Sequence, residues 1–362
     1  MHDGSAHNLL GGPDATPSAG GEKLKSREPV VLVTGDAGFI GSHLANKLPD
    51  HGFAVRGLDL VPVPGQDRNY HQTVGDILDM GALERAVREC DSIIHLAAEH
   101  KDSGVLRDRY FTVNVEGTRN LLKCASANHV RRFIFFSSVA VYGDLPVPSE
   151  DSPPRPANPY GESKLLAENL VEEWGREDAA RLAVIIRPTV VFGPRSRSNM
   201  FRLITYVCDR KFVRIGKGEN VKSVAYVENL VHATLFLMGN MRPGVEIFNY
   251  SDEPQMTTGE LVGLIARAAG VPEPGFVIPY KPAYLAAKAL DLLGFITKQD
   301  FPITSVRMKK FNTSTRYQSE KIRSRGFQPP FSIAEGLAST IRWYRDEGRR
   351  TESAYDHERV EG

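Results

Sequence analysis

The sequence predicts an α/β fold, a doubly wound parallel sheet followed by a smaller C-terminal α/β lobe, and three observations carry that expectation. Continuous apolar runs such as Val30-Val31-Leu32-Val33 suit strands covered on both faces. Similar runs near 54–60, 92–97, 132–137 and 182–187 alternate with helical stretches near 40–50, 80–89, 107–128 and 160–176. That rhythm belongs to repeated strand–helix–strand units. A glycine-rich turn also joins the first strand to the first helix.

At 362 residues and 41% hydrophobic, the chain can bury one large two-part core. Residues 1–27, rich in Gly, Ser, Pro, Ala and Asp, read as a disordered leader. Residues 28–190 carry the sheet. From 191 to 345 the rhythm breaks into shorter segments with more Pro and Gly, a natural recognition lobe, and 346–362 read as a charged, flexible tail. Forty-five basic side chains against 44 acidic ones leave a net charge of +1, which excludes a general nucleic-acid binder. Cys90, Cys124 and Cys208 form no pair, so neither a disulfide framework nor a metal site is expected. With no secretory leader and no apolar stretch long enough to span a bilayer, the expected location is the cytoplasm.

The first strand runs into Thr34-Gly35-Asp36-Ala37-Gly38-Phe39-Ile40-Gly41. Glycines at 35, 38 and 41 allow a tight turn, close approach of backbone to a pyrophosphate, and close packing of helix on sheet. The helix then offers its first N–H groups to phosphate, with Phe39 and Ile40 at its start. In this strand–turn–helix setting the pattern marks a Rossmann dinucleotide site. Asp59, at the end of the second strand, would take the adenosine ribose hydroxyls and repel a 2′-phosphate, which selects NAD. Asp76, with Ile77 beside it, follows another short apolar stretch and would reach the adenine edge.

The glycine turn, His95-Leu96-Ala97-Ala98, Asn114, Ser137-Ser138, Val141-Tyr142-Gly143 and Tyr160-Gly161-Glu162-Ser163-Lys164 follow one another in a recognisable order. Together they resemble the extended short-chain dehydrogenase/reductases, in their NAD-dependent nucleotide-sugar epimerase/dehydratase branch, over about residues 29–345. The resemblance implies that Leu96, Ala97, Ala98 and Ser137 line the cofactor and that Asn114 fixes the helix geometry nearby. It makes Ser138, Tyr160 and Lys164 the catalytic residues, with Tyr160 and Lys164 also against the cofactor. It further implies a homodimer, built through helices 107–128 and 160–176.

The chemistry agrees with those residue types. Oxidising a sugar alcohol removes a hydride, which only a cofactor can take, and a proton, which needs a base. A free tyrosine, with a pKa of about 10, is a poor base at neutral pH. A lysine four residues on shares its helix face, and the ammonium favours phenolate. Pro159 suits the first turn of that helix. Ser138 would steady the reacting oxygen as it becomes a carbonyl.

In the resembled dehydratases an Asp-Glu pair follows a threonine that replaces the serine, and decarboxylases place a Glu there. Val139 and Ala140 occupy those positions here, and neither can move a proton. A 4-epimerase of a diphosphate-linked hexose or N-acetylhexosamine is therefore expected. The alternatives are a reductase/dehydrogenase of a keto-sugar or sterol-like alcohol and, more remotely, a non-catalytic NAD-binding regulator.

Residues 192–199, 215–227 and 301–311 resemble enzymes acting at C4 of N-acetylhexosamines, including a subgroup whose sugar is attached to polyprenyl diphosphate. Val190 stands where many UDP-sugar epimerases place an Asn, and Lys222 where they have an Arg, which loses the bidentate fork. Arg195, Arg197 and Lys222 offer cations for a diphosphate, and Asn199 and Tyr226 complete the expected substrate contacts. In 276–296, Lys281 and Lys288 flank Leu285, Ala289, Leu292, Leu293 and Ile296 at helical spacing. Such a helix either lies on the inner membrane face, meeting a lipid-linked substrate, or packs under the lobe.

Overall fold

The computed structural model describes residues 27–63, 70–101, 104–297 and 305–348; residues 1–26 of the expected leader and 349–362 of the expected tail lie outside them. Strand β1 (Val30–Thr34) leads into α1 (Phe39–Lys47), then β2 (Ala54–Asp59), β3 (Tyr70–Val74) and α2 (Met80–Val87). After β4 (Ser92–His95), α3 (Arg107–Phe111) and α4 (Gly117–Ala127) are joined by one π turn at Thr112–Glu116. Next come β5 (Arg132–Phe136), α5 (Pro159–Glu177) and β6 (Leu182–Pro188).

Beyond residue 190 lie β7 (Val190–Phe192), α6 (Asn199–Cys208), β8 (Arg214–Ile215), β9 (Val221–Lys222) and β10 (Val224–Tyr226). The chain then returns to the main sheet with α7 (Val227–Gly239) and β11 (Gly244–Tyr250). It ends with β12 (Met256–Thr257), α8 (Thr258–Ala269), β13 (Val277–Ile278), α9 (Tyr280–Thr297), α10 (Ser305–Asn312), α11 (Glu320–Ser324) and α12 (Ile333–Trp343).

The main sheet has the order β3-β2-β1-β4-β5-β6-β11, every pair parallel. Alternate side chains of each strand feed two cores, as the pleat requires. Leu32, Ile93, Phe133 and Ile185 meet Leu83, Leu121, Val171 and Trp174 on one face. Val31, Ile94, Ile134 and Phe248 meet Leu44, Leu230 and Leu237 on the other. A third core, around Phe201, Ile204, Leu261, Ile265, Leu337 and Ile341, packs α6, α8 and α12 of the lobe. The order of strands reverses between β1 and β4, so the crevice beyond their C-terminal ends is where an open α/β sheet binds its ligand.

Candidate active site

The glycine turn sits at that crevice. Gly35 takes a φ of +76°, and a Cβ on it would lie 2.8 Å from the Ala97 nitrogen. A Cβ on Gly41 would lie 2.0 Å from the Gly35 carbonyl oxygen, so only glycine lets α1 start so close to β1. Gly38 precedes α1 and no side chain caps it, which leaves the first N–H groups for an anion. Phe39 and Ile40 are half-buried at this start. Asp59 lies against the turn: Oδ2 accepts from the Ala37 nitrogen at 3.1 Å and Oδ1 from that of Val61 at 3.1 Å.

Across the crevice, Leu96, Ala97 and Ala98 follow β4 half-buried, with the Ala97 nitrogen donating to Thr34 Oγ1 at 3.3 Å. Asp76 Oδ1 accepts from the Leu78 nitrogen at 3.0 Å. The Ile77 side chain is instead a core residue, packed beneath Gly117. An uncapped helix start, a cradle that any Cβ would fill, and a carboxylate at the second strand end fit a dinucleotide such as NAD.

Helix α5 brings the catalytic candidates alongside. Asn158 caps it by accepting from the Gly161 nitrogen at 2.8 Å, and Pro159 fixes its first turn. A Cβ on Gly161 would lie 2.5 Å from the Ala140 carbonyl oxygen, so α5 rests directly on the short turn that Ser138 opens. Ser138 Oγ accepts from the Ala140 nitrogen at 3.2 Å, and the neighbouring Ser137 Oγ is buried without a protein partner. Tyr160 stands half-buried, edge-on to Tyr110 at 6.3 Å. Lys164 is 2% exposed, its ammonium 4.5 Å from the centre of the Phe135 ring. Burial pushes its pKa down to about 7, against the opposing pull of the Glu168 carboxylate.

Asn114 lies in the π turn, a distortion common at functional sites. Its amide takes the Glu99 nitrogen at 2.7 Å and donates to the Glu99 carbonyl at 3.0 Å and to Ser163 Oγ at 2.9 Å. Ser163 Oγ donates on to the Tyr160 carbonyl at 2.8 Å, so Asn114 ties the segment after β4 to the catalytic helix.

The expected substrate residues divide. Arg195, Arg197 and Asn199 are exposed on one turn after β7, with Arg195 in the left-handed region at φ +68°. Lys222 lies two residues before the Val190–Val224 pair, and its ammonium donates to the Thr313 carbonyl at 2.7 Å. Tyr226 corrects the expectation: it is 5% exposed, its ring held between Phe192 and Phe331 at 5.6 and 5.8 Å. A ring that fills the lobe core is not presented to a ligand. Among the described residues no group of His, Cys, Asp or Glu could hold a metal ion.

Sequence reasoning missed His95, Glu168 and Arg187 as chemically significant. All three are almost wholly buried: His95 is hydrogen-bonded to Thr34 and Thr118, and Glu168 to Arg187 of another element. A polar residue at a core-facing position of an apolar run is the only signal they leave in the sequence.

A parallel sheet with a glycine turn at its switch point, and a tyrosine and a buried lysine one turn apart on the adjoining helix, defines an enzyme of the extended short-chain dehydrogenase/reductase class. The chain belongs to the NAD dependent epimerase/dehydratase family, whose model matches residues 31–250. It is similar to an N-acetyl-alpha-D-glucosaminyl-diphospho-ditrans,octacis-undecaprenol 4-epimerase of Escherichia coli O157:H7, with 35% identity over 318 residues, 86% of this chain and 94% of that protein. A dTDP-D-glucose 4,6-dehydratase of Mus musculus is 30% identical over 87% of this chain and 88% of its own length. Among solved structures, MoeE5 in complex with UDP-glucuronic acid and NAD is 30% identical with a TM-score of 0.69, covering 87% of this chain and 98% of that one. The cofactor is NAD.

Proposed function

We propose that the protein is a 4-epimerase of a diphosphate-linked hexose or N-acetylhexosamine, acting through a 4-keto intermediate. The observation that most supports this is the α5 constellation: the helix that carries Tyr160 and Lys164 rests through Gly161 on the Ser138 turn, while Val139 and Ala140 in that turn offer no acid or base. Elimination of water, the reaction named for the dehydratase relative, lacks its proton carrier here. A lipid carrier is favoured over a nucleotide by the similarity to the undecaprenol-linked epimerase and by Val190 and Lys222, which weaken the nucleotide grip.

NAD, when bound, supplies a site for the C4 hydride to leave to and return from. Tyr160 removes the C4 hydroxyl proton, and the Lys164 ammonium favours the phenolate that does so. Ser138 holds the same oxygen while it becomes a carbonyl. Inversion then requires the keto-sugar to present its other face before the proton returns from Tyr160. Asp59 would hold the adenosine ribose of the dinucleotide and the start of α1 its pyrophosphate, while Arg195, Arg197, Asn199 and Lys222 face the substrate diphosphate. We also propose a homodimer through α3–α4 and α5, cytoplasmic and resting on the inner membrane face through α9. Sedimentation at twice the monomer mass reads the dimer.

The test is incubation with UDP-hexoses, UDP-N-acetylhexosamines and lipid-diphosphate N-acetylhexosamine, with product configuration read at C4. Interconversion of the two C4 epimers with no net NADH is the expected result. Steady formation or consumption of NADH would instead establish the reductase reading. Tyr160→Phe should lose about a thousandfold in kcat, and undiminished biological activity of that variant would point to a regulator.

A further inference from the structure

Glu168 lies on α5 one turn beyond Lys164 and is fully buried. Arg187 of β6, 2% exposed, grips it with both arms: Nε donates to Oε1 at 2.9 Å and Nη2 to Oε2 at 2.6 Å. The remaining nitrogen, Nη1, donates to the Tyr142 hydroxyl at 2.7 Å, and that hydroxyl donates to Asn249 Oδ1 on β11 at 2.8 Å. Tyr142 closes the same short turn that Ser138 opens. One buried chain of polar groups therefore runs from the helix of Lys164 to the turn of Ser138.

A buried ion pair of this kind adds little stability over well-packed hydrocarbon, so stability does not account for it. Its placement does. Among the described residues, the charged groups coupled to Lys164 are Glu168 on its own helix and His95 on β4; Tyr160 lies one turn before it on α5, and the Phe135 ring of β5 packs on its ammonium. His95 is held neutral by burial, and Arg187 lies behind Glu168. Glu168 is thus the one acid in that set.

We propose that Glu168 is a positioning residue. Fixed by Arg187 and Tyr142, it supplies the counter-charge that lets Lys164 hold its proton to higher pH beside Tyr160, and it locks the Ser138 turn to the same helix. The proposal rests on the alcohol-oxidation chemistry assigned above to Tyr160 and Lys164. Without Glu168, Lys164 gives up its proton at lower pH. The phenolate of Tyr160 then loses its partner and forms only at higher pH.

Glu168→Gln alone would strand Arg187 as a buried unpaired cation, so the working variant is E168Q/R187Q in the full-length protein. Ionisation of Tyr160 is read by phenolate absorbance, as the difference between each protein and the same protein carrying Tyr160→Phe. The expected result is a rise of about one pH unit in the Tyr160 transition, with kcat at neutral pH falling about tenfold. An unmoved transition overturns the proposal, and so does a fall in kcat at every pH without that movement, which is what a purely structural role would give. A wild type that turns over no sugar would sink the epimerase reading, yet the Tyr160 transition would still decide this one. If the paired variant does not fold, Tyr142→Phe carries the test, since it keeps both charges and the ring. Release of the Ser138 turn then lowers kcat about tenfold with KM unchanged, and a kcat equal to wild type overturns the proposal.

Discussion

Gly57 sits inside β2, where a glycine weakens a strand unless something needs its empty side. A Cβ there would lie 2.1 Å from Asp36 Oδ2 and 2.8 Å from the Tyr70 hydroxyl. Asp36, the second residue of the glycine turn, is 1% exposed; its Oδ2 accepts from the Tyr70 hydroxyl and from Gln72 Nε2, the latter at 3.0 Å. Burial raises its pKa, with the two hydrogen bonds and nearby Asp59 as smaller influences. The missing side chain of Gly57 is therefore the room in which Asp36 anchors the dinucleotide turn to β3. Gly57→Ala must push that carboxyl, and the turn with it, out of place. Overpacking of this kind costs about 1–3 kcal/mol. The denaturation midpoint should fall accordingly, and calorimetric titration should show NAD bound about tenfold more weakly; unchanged affinity would mean that the turn is not anchored this way.

Helix α9 carries a prediction of its own. Leu285, Ala289 and Leu293, four residues apart, form an exposed row, and Phe276 just before the helix is 72% exposed. Lys281 and Lys288 are exposed beside it, which suits an anionic surface better than a place under the lobe. The protein should float with vesicles containing phosphatidylglycerol, and Leu285→Glu should cut the bound fraction about tenfold, the worth of one buried leucine. Equal flotation of that variant would remove α9 from the contact. No helix among the described residues is long and apolar enough to cross a membrane. At this scale the sequence was informative where elements are local and apolar: β1, β2, β4, β5, β6 and their helices lie within a few residues of the expected places. Before Asp76 it offered only a short apolar stretch, where the structure has β3, an edge strand of largely polar residues Tyr70, His71, Gln72 and Thr73. It was silent on β11, reached only after the chain has left the sheet for more than 50 residues (188 to 244). The same contrast holds in the site. The glycine turn and the Tyr160/Lys164 spacing are local patterns. The contacts between Asp36 and Tyr70 or between Glu168 and Arg187 join residues that only the sheet order makes neighbours.

For the molecule as a whole, His95 ties the sheet's response to pH to the cofactor crevice. It lies in β4 between β1 and β5, 1% exposed. The Thr118 hydroxyl donates its proton to the Asn114 carbonyl at 2.6 Å, so His95 Nε2 must be the donor in its 3.0 Å bond to Thr118 Oγ1. Nδ1 is then left to accept from the Thr34 hydroxyl at 2.6 Å, which completes the network with a neutral ring. Burial, and after it the positive charge of Lys164, push the imidazole from 6.5 down to about 3. Because the folded value lies below the unfolded one, the unfolded chain binds more protons between about pH 3 and 6.5, and stability rises with pH across that window. The contribution is complete above 6.5 and is lost as pH falls toward 3. Asp252 works in the opposite sense: burial lifts it from 3.8 to about 6, so its term lowers stability as pH rises over that narrower range. Each term amounts to one proton, so between about pH 3.8 and 6 the two oppose and offset each other, and the thermal midpoint of the wild type should change little over that range. In His95→Gln, which keeps one donor and one acceptor, the Asp252 term remains unopposed and the midpoint should fall as pH rises from about 4 to 6. Scanning calorimetry across that range decides the matter, since a variant that retained the wild-type slope would place the acid sensitivity elsewhere in the fold.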